Sequence, residues 1–442
     1  MPRGDAGHDT IAAIATPAGR GGIGVVRISG PGAPQIAAAM LGRVPEPRRA
    51  LFCAFRDQSG ARVDDGVALY FEAPRSYTGE AVLELQGHGG PVVMHAVLGA
   101  ALDAGARLAE PGEYTRRAFL NGRLDLAQAE AVADLIDAAS REAARSALRS
   151  LSGEFSTAIA ALVAGLTELR ALTEAMLDFP EEEIDALHRG DARTRLAQLR
   201  AALAQVIAKS RQGSLLRTGI HAVIAGRPNV GKSSLLNRLA GEERAIVTEL
   251  PGTTRDALRE TIQIEGVPIV VVDTAGLRES RDKVERLGME RTRLEIERAD
   301  VVLVVLEAGK MEAPDEALPP NAVRLTVVNK IDLLPGAACG RHQGVVHVSA
   351  RTGAGFDALR QALLEAAGWR SPGETVFLAR ERHLRALAKA QSHLEAAEAQ
   401  VAHWEFFAEE LRLAQDALGE ITGRVSSEAL LSEIFSRFCI GK

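Results

Sequence analysis

Residues 226–233 read GRPNVGKS, between an apolar run at 221–225 with the pattern of a strand and a helix-like run at 234–239. Few sequences leave a chain less choice. Gly226 and Gly231 let the backbone wrap a polyphosphate, so that successive amides and the positive end of the next helix point at its oxygens. Lys232 brings a point charge to the β and γ phosphates, and the Ser233 hydroxyl is placed to hold magnesium.

Three further segments follow in order. Asp273, Thr274, Ala275 and Gly276 come after the apolar run 269–272, which puts an acid at the carboxyl end of a strand and a glycine where backbone must approach a γ phosphate. The run 326–328 leads into Asn329, Lys330, Ile331 and Asp332. A carboxylate accepts both hydrogens of guanine N1 and its 2-amino group, and adenine offers no such pair of donors, so this segment selects GTP over ATP. Ser349, Ala350 and Arg351 after the strand-like run 345–348 complete the base pocket. Leu277 stands where many small GTPases carry a glutamine that orients the attacking water, so either hydrolysis is very slow or another group positions the water and another positive charge offsets the developing negative charge. The polar segment Pro251, Gly252, Thr253, Thr254, Arg255, Asp256 has no apolar periodicity, and Thr253 or Thr254 is placed to close on magnesium when the γ phosphate is present. The side-chain oxygen of Asn229 and the backbone carbonyls of 248–253 are hard ligands of the kind that suit potassium.

The rest of the chain frames this site. At 442 residues it has room for two to three domains, and 46% hydrophobic content supplies their cores. A net charge of -6 rules out a global basic field, so an RNA partner would meet a local patch. Cys53, Cys339 and Cys439 are far apart and in no metal spacing, as in a reducing cytosol. The 11–15 run is too short for a signal peptide, the longest strongly apolar run, 301–306, reads as a buried strand, and no membrane span is expected. Strand-like and helix-like runs alternate over 216–371, a doubly wound α/β domain. Helical periodicity occupies 124–212 and 379–437, which reads as one all-α domain with the α/β domain inserted between its parts, 121–215 and 372–442. Residues 1–120 show short strands (24–29, 67–71, 82–85) and a helix at 91–102, an α+β domain.

The phrases TPAGRGGIGVVRISG, SYTGEAVLELQGHGG and EPGEYTRRAFLNGRLDLAQAEAVADLIDA, with the ending FCIGK, closely resemble the MnmE (TrmE) family of tRNA modification GTPases over nearly the whole chain. The resemblance implies a multidomain protein with a folate-binding, dimerising amino-terminal domain and an inserted Ras-like G domain. It implies a cytoplasmic homodimer that works with the flavoprotein MnmG (GidA) and has no membrane role. The pair would add an aminomethyl or carboxymethylaminomethyl group to carbon 5 of the wobble uridine of certain tRNAs, with a tetrahydrofolate such as the 5,10-methylene form carrying the one-carbon unit. Folate contacts fall on Arg27, Glu84, Arg123 and Lys442. A carboxylate grips the amino-pyrimidinone edge of a pterin, and arginine or lysine suits its glutamate tail. Arg123 stands where some relatives have lysine. GTP contacts fall on Asn229, Val230, Gly231, Lys232, Ser233 and Ser234, on Thr248, Glu249, Leu250, Pro251, Gly252, Thr253 and Thr254, and on the later motifs above. Magnesium is assigned to Ser233 and Thr254, and potassium to Asn229, Thr248, Leu250 and Thr253 where two G domains meet. Glu285 would position the water through an intervening water, which with Lys232 and Thr254 makes the catalytic set.

Some residues keep two readings. Arg27 and Glu84 are ligand contacts, or strand residues that face solvent or pair with each other. His88, between glycines, is a turn residue or a proton carrier. Cys439 is a small buried residue on a terminal helix, or a thiol near the folate carbon or the uridine; Gly441 and Lys442 exclude a prenylation box. The acidic run 181–183 after Pro180 reads as the first turn of a helix. A ribosome-assembly or translation GTPase, acting only as a nucleotide switch, shares the G motifs; this chain has no basic KH-like or RRM-like segment. A membrane-remodelling GTPase would need a basic lipid-binding helix, and none is seen.

Overall fold

The computed structural model describes residues 9–178, 185–242, 259–273, 297, 299–310, 322–370, 376–401, 403–424 and 427–441. The acidic run 181–183 lies outside them. The chain divides into two compact units, 1–133 with 419–442, and 134–418.

The first unit is built on a six-stranded sheet, β3-β4-β5-β2-β1-β6. Its strands are β1 (Ile11–Ile14), β2 (Gly24–Ser29), β3 (Leu51–Arg56), β4 (Arg62–Phe71), β5 (Val82–Gly87) and β6 (Arg107–Leu108). All pairs are antiparallel except β1 with β6. Strand alternation decides which face carries chemistry. Val26, Ile28, Leu83 and Leu85 point to one face, where helices α1 (Ala33–Leu41) and α2 (Pro91–Asp103) cover them with Ile36, Met40, Met94 and Val97. Arg27 and Glu84, directly opposite each other in the register, are therefore left on the other face. Sequence reading located α2 but not α1, a nine-residue helix that begins beside a Gly-Pro-Gly turn and ends on the left-handed Gly42.

Helix α3 (Glu113–Leu120) fastens the edge of this sheet with charge. The Arg117 side chain is only 3% exposed, and it meets Glu113 at 2.9 Å, Asp9 at 2.6 Å and Glu80 at 3.2 Å. Arg107 bridges two of these acids, Asp9 and Glu113, the latter at 2.6 Å. Burial opposes ionisation of Glu113, but hydrogen bonds from Arg107 and Arg117 outweigh it and hold the carboxyl below its usual range; Asp9 is lowered in the same way. Helix α4 (Leu126–Ile136) sets Leu126 and Ala129 against Ile434, Phe435 and Phe438 of the carboxyl-terminal segment, whose helix is Glu428–Ser436.

In the second unit, α5 (Arg141–Leu151), α6 (Glu154–Asp178) and α7 (Asp185–Thr218) precede a seven-stranded sheet, and further helices follow it. Ser140 caps α5 by accepting from the Ala143 amide at 3.1 Å. The sheet order is β12-β13-β11-β10-β7-β9-β8. It holds β7 (Ile220–Ala225), β8 (Arg259–Ile264), β9 (Val267–Asp273), β10 (Val301–Glu307), β11 (Val323–Asn329), β12 (Gly340–His342) and β13 (Val345–His347). Its five inner strands are parallel, with α8 (Lys232–Glu242) and α9 (Phe356–Ala366) among its helices. Helices α10 (Glu381–Ala399) and α11 (Trp404–Thr422) return to the all-α part, where Phe155 of α6 stacks near Phe377 and His383 at 5.4 and 5.3 Å. The α/β sheet is thus inserted between two sets of helices. Helix α7 runs past Gly213 without a break, and a Cβ there would collide with the Phe377 carbonyl, so only glycine permits the approach. Residues Glu154–Leu177 are long and apolar enough to cross a bilayer by length and composition, but their stripe of Phe155, Ile159, Leu162, Leu166 and Leu169 is buried in protein.

Because the folded pKa values of Asp9 and Glu113 are depressed, their ion pairs contribute stability above about pH 4, the unfolded value, and lose it as pH falls through the folded values. Amide hydrogen exchange in β1 and α3 should accelerate in that acid window before it does in β10. Arg117→Met, which leaves Arg107 alone to hold Asp9 and Glu113 and takes the guanidinium from Glu80, should cost about 1.5–3 kcal/mol in the same exchange measurement at neutral pH.

Candidate nucleotide-binding site

The phosphate loop leaves β7 at Ala225 and enters α8 at Lys232, at the carboxyl end of a central strand flanked by β10 and β9, where open α/β sheets bind ligands. Gly226 has φ +158° and Gly231 φ +92°; a Cβ on the first would strike the Val305 carbonyl and on the second the Asn329 carboxamide. Asn229 also takes a left-handed conformation, φ +65°, which asparagine tolerates better than most residues. The Lys232 ammonium, 8% exposed, folds back on the carbonyls of Gly226 and Arg227. It is held where a phosphate would take over those bonds.

The base motif reaches this loop through one side chain. Asn329, 1% exposed, donates from Nδ2 to the Val230 carbonyl at 2.9 Å and accepts from the Ala350 amide at 3.0 Å. Lys330, with φ +65°, sends its ammonium to the Asn229 carbonyl at 2.6 Å and to Glu307 at 3.2 Å. The Ser349 hydroxyl donates to one oxygen of the exposed Asp332 carboxylate at 2.6 Å. Asp332 is thereby oriented, with its second oxygen available to a base. The hydrogen bond from Lys330 holds the Glu307 carboxyl below its usual range. Glu307 escaped sequence reading, because an acid closing an apolar strand carries no signal of its partner.

Among the anticipated site residues, Asn229, Val230, Gly231, Lys232, Asn329, Lys330, Asp332, Ser349 and Ala350 come together here, and Ser233 and Ser234 open α8. Arg351 contributes its carbonyl to Arg238 at 3.3 Å. The backbone of Asp273 ends β9 opposite Ile224. Thr248, Glu249, Leu250, Pro251, Gly252, Thr253, Thr254, Thr274, Ala275, Gly276, Leu277 and Glu285 lie outside the described residues, as does Lys442.

On the open face of the first unit's sheet, Arg27 and Glu84 are paired at 2.8 Å, each side chain under a fifth exposed. Tyr77 and Tyr114 flank the guanidinium with centroids at 5.7 and 5.8 Å. Burial raises the pKa of both phenols. The Gly441 carbonyl accepts from Arg27 at 3.4 Å, so the chain end is seated beside the pair. Arg123 is exposed and lies over Gly79. His88 is a loop residue whose ring and amide both engage Asp64, at 2.7 and 2.8 Å. The expectation of a buried Cys439 on a helix is corrected. Cys439 is exposed and follows the last helical turn, because the neighbouring Phe438 takes the buried position.

Sheet, loop and base motif define a P-loop GTPase carried on a helical domain. Two family descriptions match the chain: "GTP-binding protein TrmE N-terminus" over residues 10–123 and "MnmE helical domain" over 126–439. A protein of Azoarcus sp. (strain BH72) named "tRNA modification GTPase MnmE" is 61% identical over 98% of both chains, and one of the same name from Thiobacillus denitrificans is 60% identical over 98% of both. Among solved structures, the G domain of the T. maritima FeoB iron transporter covers 34% of this chain and 98% of that chain at 23% identity, with a TM-score of 0.22, too slight a likeness to build on. The chain belongs to the MnmE family.

Asp332→Asn should reverse the base preference, since a carboxamide presents a donor where guanine also has one. Competition of GTP against XTP checks this, and a discrimination unchanged from wild type would dismiss Asp332 as the base reader.

Proposed function

We propose that this chain hydrolyses GTP to drive modification of the wobble uridine of certain tRNAs, as a cytoplasmic homodimer working with a flavin-dependent partner of the MnmG type. The observation that carries the GTP half is the Asn329–Asp332–Ser349 arrangement joined to the phosphate loop. Family membership supports the tRNA half.

Binding begins with Lys232, which exchanges the Gly226 and Arg227 carbonyls for phosphate oxygens, while the first amides of α8 meet the same charge. Ser233 and Thr254 would hold magnesium, and Asn229, Thr248, Leu250 and Thr253 would hold potassium. The left-handed Asn229, exposed on the loop, fits a ligand role. These cations supply positive charge against the charge that develops in the transition state. Leu277 cannot orient water, so Glu285 does so through a second water. In the amino-terminal unit, Glu84 would accept from the amino-pyrimidinone edge of a tetrahydrofolate, and Arg27, Arg123 and Lys442 would provide positive charge for its acidic tail. The tyrosine-flanked Arg27–Glu84 pair fits a flat, polar-edged ring. Cys439, exposed two residues before Gly441, whose carbonyl accepts from Arg27, is a candidate thiol for the one-carbon chemistry.

Nucleoside analysis of tRNA from cells lacking this chain should show wobble uridines without the carbon-5 substituent; fully modified uridines would leave the nucleotide-switch reading in its place. Single-turnover GTP hydrolysis should be fast in potassium and slow in sodium at equal ionic strength. Asn229→Ala should lose that stimulation, and Glu285→Ala should keep GTP affinity while losing most turnover. Equal wild-type rates in the two salts would defeat the potassium assignment.

A further inference from the structure

Exposed arginines on the helices of this protein commonly pair with an acid one turn away, as Arg195 does with Asp191, Arg385 with Glu381, Arg412 with Asp416 and Arg437 with Glu433. Helix α5 departs from this habit. Arg141 and Arg145, both exposed, and the half-buried Arg149 recur every fourth residue, so they fan over only about 80° of its circumference. The opposite side, Ala143, Ser146, Ala147 and Ser150, is the buried one. The only acid in the helix, Glu142, turns its carboxylate against Gly266 in the β8–β9 hairpin. No ion pair to the three guanidiniums occurs among the described residues, and Leu148, 56% exposed, lies in the same row.

Like charges one turn apart disfavour a helix, so this stripe weakens the element that carries it. All three residues are arginine, whose planar fork grips phosphate oxygens in pairs. Successive guanidinium positions rise about 6 Å along the axis, giving a row that tracks a strand of phosphates. A net charge of -6 gives the chain no global attraction for RNA, and such a local row is what a polyanionic partner can use.

We propose that the exposed face of α5, through Arg141, Arg145 and Arg149, docks the phosphate backbone of the tRNA. The proposal rests on the tRNA reading given above. It is tested with the full-length protein and an unmodified tRNA transcript, by fluorescence anisotropy over a series of salt concentrations. The triple variant Arg141→Gln, Arg145→Gln, Arg149→Gln should bind roughly 10-fold to 100-fold more weakly at low salt, with a log–log salt slope shallower by about 2 to 3. Its GTP turnover should match wild type, and the control Arg195→Gln with Arg385→Gln should bind as wild type does. If the triple variant misfolds, Arg145→Gln alone should still reduce the slope by about 1. Unchanged affinity and slope would overturn the proposal. So would loss of wobble modification at unchanged tRNA affinity, which would put an acidic protein on this face. A wild-type protein that binds no tRNA also overturns it, while the nucleoside analysis decides the functional reading separately.

Discussion

The nucleotide site depends on the two hydrogen bonds of the Asn329 carboxamide. One end holds the phosphate loop at Val230 and the other holds the segment after β13 at Ala350, so three stretches distant in the chain share one rigid joint. Because the group is buried, breaking either bond leaves a polar atom without water, a loss of about 1–3 kcal/mol. Gly231 is forced by the same joint, since any side chain there would displace the carboxamide. Lys330 and Ser349 then extend the order outward, to Asn229 on one side and Asp332 on the other.

A charged pair arises from strand geometry in the first unit. Alternation sends the apolar residues of β2 and β5 under α1 and α2 and leaves a charged pair on the free face. The pair persists because both side chains are partly withdrawn from solvent and walled by Tyr77 and Tyr114, which strengthens attraction between them. The tetrahydrofolate proposed for this face would have to offer hydrogen bonds at least as good as those the pair already makes.

In the second unit, the joining of helices to the α/β sheet is similarly specific. The Gln212 carboxamide on α7 donates to the Gly368 carbonyl at 2.8 Å and accepts from the Arg370 amide at 3.0 Å, a clamp on the strand of chain that leaves the sheet. Beside it Gly213 admits the Phe377 carbonyl. The β8–β9 hairpin packs Ile262 and Ile264 in one core with Ala143 and Ala147 of α5.

What the sequence determined by itself was local. The phosphate loop, the order of the G motifs, the choice of guanine and the alternation of strands and helices are legible because each rests on spacing within a few residues or on the chemistry of a short motif. The two-residue strand β6 was not legible, since it is too short to show a period; α1 does place Ala33, Ile36, Ala37 and Met40 at helical spacing, but its entry through Gly30, Pro31 and Gly32 reads as a turn. Only the tertiary structure decided the partners. Arg27 meets Glu84 across 57 positions and Arg117 meets Asp9 across 108, and such pairings follow from strand register and helix docking rather than from proximity in the chain. The same reason explains Cys439 and α5. Whether a thiol is covered, or an arginine finds an acid, depends on which surface happens to lie beside it after folding, and no periodicity in the sequence records that.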